Sequence, residues 1–191
     1  MLKSIHEQHA RSRKLLFYYL DSSDFSGFKK LSKTLGAEVL ISTRDDREGF
    51  EKKTLLHQAS RLGHNELVTY LLEIGHAVDP MDSSNSGQTP LMEAVRMNFT
   101  ETAVLLIEAG ASLSTQDVNN ENAMHYAARN GSSKLIQRII KAADLSRDAI
   151  QNLMTSVDIK RRLPEDLASR SLAREVLTNY RQLGEHLTRR K

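Results

Sequence analysis

Apolar positions along this chain come in short helical runs separated by polar turns. Leu15, Leu16, Tyr19 and Leu20 share one side of a helix predicted from Ser4 to Leu20. Phe25, Phe28, Leu31 and Leu35 repeat at helical spacing, predicting a second helix over roughly Phe25 to Thr34 that ends at Gly36. The turn Asp21-Ser-Ser-Asp24 lies between them, with Ser23 or Asp24 available to cap the second helix. Three denser runs follow: Leu67-Val68-Tyr70-Leu71-Leu72, Ala103-Val104-Leu105-Leu106-Ile107, and Leu135-Ile136-Ile139-Ile140.

Each dense run follows a block that says nearly the same thing. The blocks are Thr54-Leu-Leu-His-Gln-Ala-Ser-Arg-Leu-Gly63, Thr89-Pro-Leu-Met-Glu-Ala-Val-Arg-Met-Asn98 and Asn122-Ala-Met-His-Tyr-Ala-Ala-Arg-Asn-Gly131, offset by 35 and then 33 residues. A period near 33 headed by Thr-Pro-Leu-His-x-Ala resembles the ankyrin repeat. The resemblance implies an all-α solenoid of about five helix-turn-helix units, three clear repeats between two degenerate caps, joined by β-hairpin-like finger loops. Ala59, Ala94 and Ala127 would let inner and outer helices approach, and His57 and His125 would bond between neighbouring turns. Met92 and Leu55 depart from the motif's His and Pro. Phe99 is placed either on the surface or in a turn packed against the neighbouring repeat.

The predicted boundaries make residues 1–183 one domain. Within it, 1–46 is an N-terminal cap and finger, 47–82 and 83–117 are repeats, 118–157 is a repeat plus a short inserted helix, and 158–183 is a C-terminal cap. Residues 184–191 form a frayed basic tail. Extra residues lengthen the first finger (Ser42 to Lys52) and the second (Pro80 to Ser86). The inserted helix falls around Ser146 to Met154, with Ser146 as cap and Ala149, Ile150 and Leu153 inward. In the C-terminal cap, Leu172, Val176, Leu177 and Tyr180 are expected to dock on the third repeat, and Glu165 to look at water.

Composition narrows the function classes. At 39% hydrophobic and 27% charged, the 191 residues lie in the globular range. The absence of cysteine excludes disulfides and thiol catalysis and argues against zinc ribbons. No apolar run reaches the ~18–20 residues of a membrane span, and the N-terminus lacks a signal-peptide pattern, so cytoplasm, nucleus or both is the expected location. The net charge of +3 falls short of a nucleic-acid signature, and the short basic clusters lack interleaved aromatics.

No catalytic constellation is present: no phosphate-binding glycine loop, no His-Glu-x-x-His and no triad order. His6 and His9 alone are too few for a metal site, and no cofactor is expected. Arg61, Arg96, Arg129 and Arg170 recur seven residues into each unit and predict an arginine column on the inner-helix face. Such a column suits an acidic peptide, or else serves as framework. The resemblance also makes the inner-helix positions Gln58, Leu62, Glu93, Met97, Tyr126 and Asn130, and the finger positions Phe50, Met81, Asp82, Val118 and Asn119, candidates for partner contact. The expected function is a non-enzymatic protein- or peptide-binding module acting as adaptor, scaffold or steric inhibitor. A reader domain of a larger chromatin or signalling protein, a bacterial effector, and more remotely an enzyme's regulatory subunit or a nucleic-acid binder remain alternatives, and oligomeric state stays open.

Overall fold

Threonine or asparagine opens each of the three central inner helices because a helix leaves its first N–H groups without partners. The side chains of Thr54, Thr89 and Asn122 accept from the N–H groups of His57, Met92 and His125. In return, the Nδ1 atoms of His57 and His125 accept from the N–H groups of Thr54 and Asn122, each at 3.2 Å. The His side chains thus complete a reciprocal cap. At Met92 the weaker thioether sulfur stands 3.5 Å from the Thr89 nitrogen.

The computed structural model describes residues 2–45, 53–82, 86–142 and 147–188. Its elements are α1 (Leu2–Asp21), α2 (Phe25–Leu35), α3 (Ala37–Ser42), α4 (Leu55–Leu62), α5 (Asn65–Glu73), α6 (Pro90–Arg96), α7 (Thr100–Glu108), α8 (Ala123–Asn130), α9 (Ser133–Ala142), α10 (Arg147–Thr155), a 3-10 turn at Pro164–Leu167, and α11 (Ser171–Thr188). Inner helices α1, α4, α6 and α8 stack side by side. Outer helices α2, α5, α7 and α9 form the second layer, continued by α11. One apolar core runs the length of the stack, from Leu16, Phe17 and Phe28 through Leu56, Leu71, Leu91 and Leu106 to Ile139, Ala173 and Leu177. Each unit covers its apolar face only with its neighbours.

Ala59, Ala94 and Ala127 are fully buried, where a larger side chain would force the helices of one unit apart. The step between inner and outer helix needs a left-handed residue, supplied by Ser23, Gly63, Asn98 and Gly131 (φ 58°, 72°, 63° and 66°). At Gly63 the neighbour also intervenes, because a Cβ there would lie 2.6 Å from the Phe99 ring. Phe99 therefore sits in the turn before α7 and packs on the preceding repeat, which settles its placement. Gly63→Ala is expected to lower stability by about 1–2 kcal/mol, from left-handed backbone strain plus the clash. Denaturant unfolding checks this, and Phe99→Ala in the same background should relieve the steric part.

The fingers differ in length. The N–H groups of Asp45, Asp82, Asp117 and Asp158 donate to the carbonyls of Lys53, Gln88, Glu121 and Arg162, closing turns at 2.7, 3.0, 3.0 and 3.0 Å. The closures shorten along the stack, so the first two fingers carry the extra residues. Arg44 and Thr54 form an isolated antiparallel bridge at the base of the first.

Several expectations need correction. The Ala37–Ser42 connection coils into α3. The fifth unit's inner helix shrinks to the 3-10 turn, at whose start Asp166 accepts from the Leu163 N–H at 2.9 Å. α11 continues to Thr188, past the boundary set at 183, so a frayed tail does not begin at 184. Val176, Leu177 and Tyr180 pack on the core as expected, joined by Ala173, whereas Leu172 is 59% exposed because it lies about 90° around α11 from that face. Glu165 turns to Arg181 at 2.9 Å and to the Thr178 hydroxyl at 3.0 Å rather than to water. α10 covers the expected insertion with Leu153 buried and Ile150 packed on the core. Ser146, proposed as its cap, lies outside the described residues, as does the side chain of Ala149.

Candidate protein-binding surface

Counting back from the left-handed residue of each unit aligns the inner helices. Five residues before it stand Tyr18, Gln58, Glu93 and Tyr126, and two before it stand Asp21, Arg61, Arg96 and Arg129. The expected column thus begins with an acid. Arg170, its supposed fourth arginine, falls beyond the 3-10 turn instead of on an inner helix.

Gln58, Glu93 and Tyr126 are buried, contrary to their expected exposure. The Gln58 amide donates to Asp21 Oδ1 at 2.5 Å and accepts from Arg61 Nε at 3.0 Å, linking two units. Glu93 is fully enclosed and pairs with Lys53 and Arg96. Burial opposes its ionisation, but the hydrogen bond and charge of Lys53, with those of Arg96, outweigh it and hold the carboxyl below the ordinary glutamate range. The Tyr126 hydroxyl donates to Asp117 Oδ2 at 2.7 Å and accepts from Gln88 Nε2 at 2.7 Å. Burial and the Asp117 carboxylate push its ionisation well above the usual tyrosine value.

Each arginine on this face rests on a polar group beneath it. Arg129 forks onto the buried Glu121 carboxylate, and its guanidinium lies 5.6 Å from the Tyr126 ring centroid. Arg162 bonds Asp158 Oδ2. Arg96 and Arg129 remain partly exposed, about 40% and 46% for their side chains, while their carboxylate partners are at most 6% exposed. The guanidiniums are thereby fixed in orientation and largely neutralised. Arg61 and Leu62 are half-buried, and Met97 is exposed. The Asn130 amide bonds the Val95 carbonyl of the previous repeat, a framework contact.

At the finger tips, Met81, Val118 and Ile159 are each more than half exposed, and Asn119 is also exposed. The first two both flank Gly87, with Met81 Cε and Val118 Cγ1 3.4 and 3.5 Å from where a Cβ would stand. Hydrogen bonds join adjacent fingers, from Val118 N to Ser86 O at 3.2 Å and from Ile159 N to Asn119 O at 2.9 Å. Asp82, assigned to partner contact, is instead buried and receives the Ser86 hydroxyl at 2.6 Å. Asp117 Oδ1 accepts the N–H groups of Asn119 and Glu121 in the next finger. Sequence reasoning missed Ile159 and Arg162, although Ile159 follows a finger aspartate just as Val118 does. Phe50 lies outside the described residues.

His57 Nε2 faces the Gln88 carbonyl at 2.9 Å, so that nitrogen carries the proton and bonds across to the next unit. The matching ring of His125 interacts with the Arg162 backbone of the next unit, although its Nε2 makes no well-formed hydrogen bond there. Among those residues there is no group of three or more His, Asp or Glu placed to hold a metal, and no helix long and apolar enough to cross a membrane.

A family model described as ankyrin repeats in three copies matches residues 25–117 and 56–149. The chain is 33% identical over 93 residues to the B-cell lymphoma 3 protein homolog of Mus musculus, covering 49% of this chain and 20% of that protein. It is 35% identical over 99 residues to the E3 ubiquitin-protein ligase XBAT33 of Arabidopsis thaliana (51% and 19%). Against the transient receptor potential cation channel subfamily A member 1 of Drosophila melanogaster it is 33% identical over 81 residues (42% and 7%). The chain thus spans a fifth or less of the length of these curated relatives. The family match, the capped inner helices and the stacked two-layer core agree: this chain belongs to the ankyrin-repeat family.

Proposed function

We propose that this chain is a non-enzymatic protein-binding module whose partner lies along the finger tips and the adjoining inner-helix face, as an adaptor, scaffold or steric inhibitor does. Ankyrin repeats generally mediate protein–protein interaction. The observation that carries the reading for this chain is the row Met81, Val118 and Ile159, exposed apolar tips tied together by cross-finger hydrogen bonds. Beside it stand Met97 and the partly exposed arginines Arg96 and Arg129, held by buried carboxylates. Apolar anchors next to oriented arginines are the composition of binding hot spots, and groups already fixed lose little entropy on binding.

The arginine row supplies oriented donors more than net charge, since Glu93, Glu121 and Asp158 lie under it. Attraction of an acidic partner to this row is correspondingly weak.

The test is capture from a cell lysate by the wild-type chain and by a Met81→Asp/Val118→Asp/Ile159→Asp variant with unchanged circular dichroism. A partner held by the wild type should be lost by the variant, with affinity down at least about tenfold. Equal capture by both chains would remove the finger tips from the binding site.

A further inference from the structure

We infer that the exposed end of the first unit is a separate docking surface for an acidic polypeptide segment bearing an apolar anchor. This rests on the reading of the chain as a protein-binding module and adds to it a second surface and the chemistry of its occupant.

The charge of the molecule is concentrated there. Between residues 11 and 35 stand Arg11, Arg13, Lys14, Lys29, Lys30 and Lys33 against Asp21 and Asp24 alone. That is a formal +4 over this stretch of α1 and α2; over the whole first unit, 1–46, Lys3 and Arg44 against Glu7, Glu38, Asp45 and Asp46 bring it to +2 of the chain's +3. The two acids are already engaged: Asp21 receives Gln58, and Asp24 caps α2 by accepting from Gly27 N at 2.9 Å. The six cations are all exposed. Among the described residues, the ion pairs are made by other side chains. The central arginines lie on buried carboxylates; these cations do not.

Helix geometry sets part of this charge opposite the buried side of each helix. In α1 the buried Leu16, Phe17 and Leu20 point to the core, so Arg11, Leu15 and Tyr18 stand on the opposite side, with Lys14 at its edge. In α2 the buried Phe28 and Ser32 leave Lys30 and Lys33 on the opposite side. Ser32 meets Tyr70 of α5, and Gln58 of α4 meets Asp21, so the second unit covers the other side of this pair. The opposite side is left uncovered by the described residues.

A side open to water is ordinarily polar. This one presents Tyr18 at 64% exposure and Leu15 at 39%, framed by cations. Tyr18 occupies on α1 the position that Gln58, Glu93 and Tyr126 fill with buried network groups farther along. Aromatic and aliphatic groups amid lysine and arginine match an acidic segment that brings its own apolar side chain. A second copy would set cation against cation. An anionic membrane surface calls for clusters of about four to eight basic residues on a freely inserting amphipathic face. Here the face carries two apolar groups among the described residues, on a helix anchored in the core.

The test uses the full chain and a fluorescent peptide of repeated Glu-Glu-Leu-Glu-Glu-Phe, with its Glu→Gln counterpart as control. The acidic peptide should bind, weaken about tenfold from ~50 to ~200 mM salt, and weaken comparably with Arg11→Glu/Lys14→Glu/Tyr18→Ala. Arg96→Glu/Arg129→Glu should leave it within about twofold. Equal binding of the Gln peptide, or equal loss with the central arginine pair, overturns the inference. So does preferential competition through the same residues by phosphatidylserine vesicles or a DNA duplex, which would assign the surface to lipid or nucleic acid. The finger-tip variant run in parallel separates the two readings. If it loses its captured partner while the acidic peptide fails to bind, only this second surface falls.

Discussion

Glu93→Ala is expected to destabilise the stack by about 3 kcal/mol, more than any surface substitution. The carboxylate is fully enclosed, with Lys53 only 13% exposed beside it and Arg96 bonding its other oxygen. Removing it strands the Lys53 ammonium between the base of the first finger and α6, where water cannot replace the lost partner. Arg96 is exposed enough to be resolvated, so it adds little to the loss. A Lys53→Met/Glu93→Leu double variant should regain most of the stability, because an apolar pair of similar size leaves no charge behind. Denaturant titration of the wild type, Lys53→Met, Glu93→Leu and the double variant measures the coupling. A Glu93→Ala loss below about 0.5 kcal/mol would show that this pair does not join the first finger to the second repeat.

Acid is expected to unfold the protein well above the pH at which exposed carboxylates titrate. Burial lowers the affinity of His57 for a proton to a pKa of about 4. Its Nδ1 accepts from the Thr54 N–H and its Nε2 proton points at the Gln88 carbonyl, so a second proton, on Nδ1, breaks the cap bond from the Thr54 N–H. The Gln88 carbonyl, with Asp82 and Glu93, favours the charged ring, and Lys53 opposes it; burial outweighs them all. Burial likewise lowers His64, His76 and His125. An unfolded histidine titrates near 6.5, so between ~6.5 and ~4 the unfolded chain binds more protons than the folded one. Stability is therefore whole above that window and falls as pH drops through it. His57 alone removes about 2 kcal/mol between pH ~7.5 and ~5. Glu93, with its lowered value, works in the same sense at lower pH, and Asp79, raised by burial, works against both. Denaturation midpoints at the two pH values check the slope. A flat profile across the window would mean that these imidazoles are protonated in the folded stack.

The repeats were readable because their determinants are local. A capping Thr or Asn, the left-handed Gly63 and Gly131, the small Ala59, Ala94 and Ala127, and the finger lengths all act within one unit. Exposure was legible where it follows from position on a tip, as at Met81, Val118 and Asn119, and at Met97 at the end of α6. At Gln58, Glu93 and Tyr126 the neighbouring unit decides: Asp21, Lys53 and Gln88 reach across and draw those side chains into the face. No pattern within a single repeat records that. Leu172 was misplaced because it stands in the first turn of α11, beside the docking face that Ala173, Val176, Leu177 and Tyr180 form.

The central claim is that finger tips and inner helices together receive a protein partner. Hydrogen–deuterium exchange of the captured complex tests it most directly. The expected result is added protection at the finger backbones around Met81 and Gly87, Val118 to Asn120, and Ile159 to Arg161, together with α6 and α8. Protection confined to the outer helices α5, α7 and α9 would place the partner on the opposite face and contradict the account.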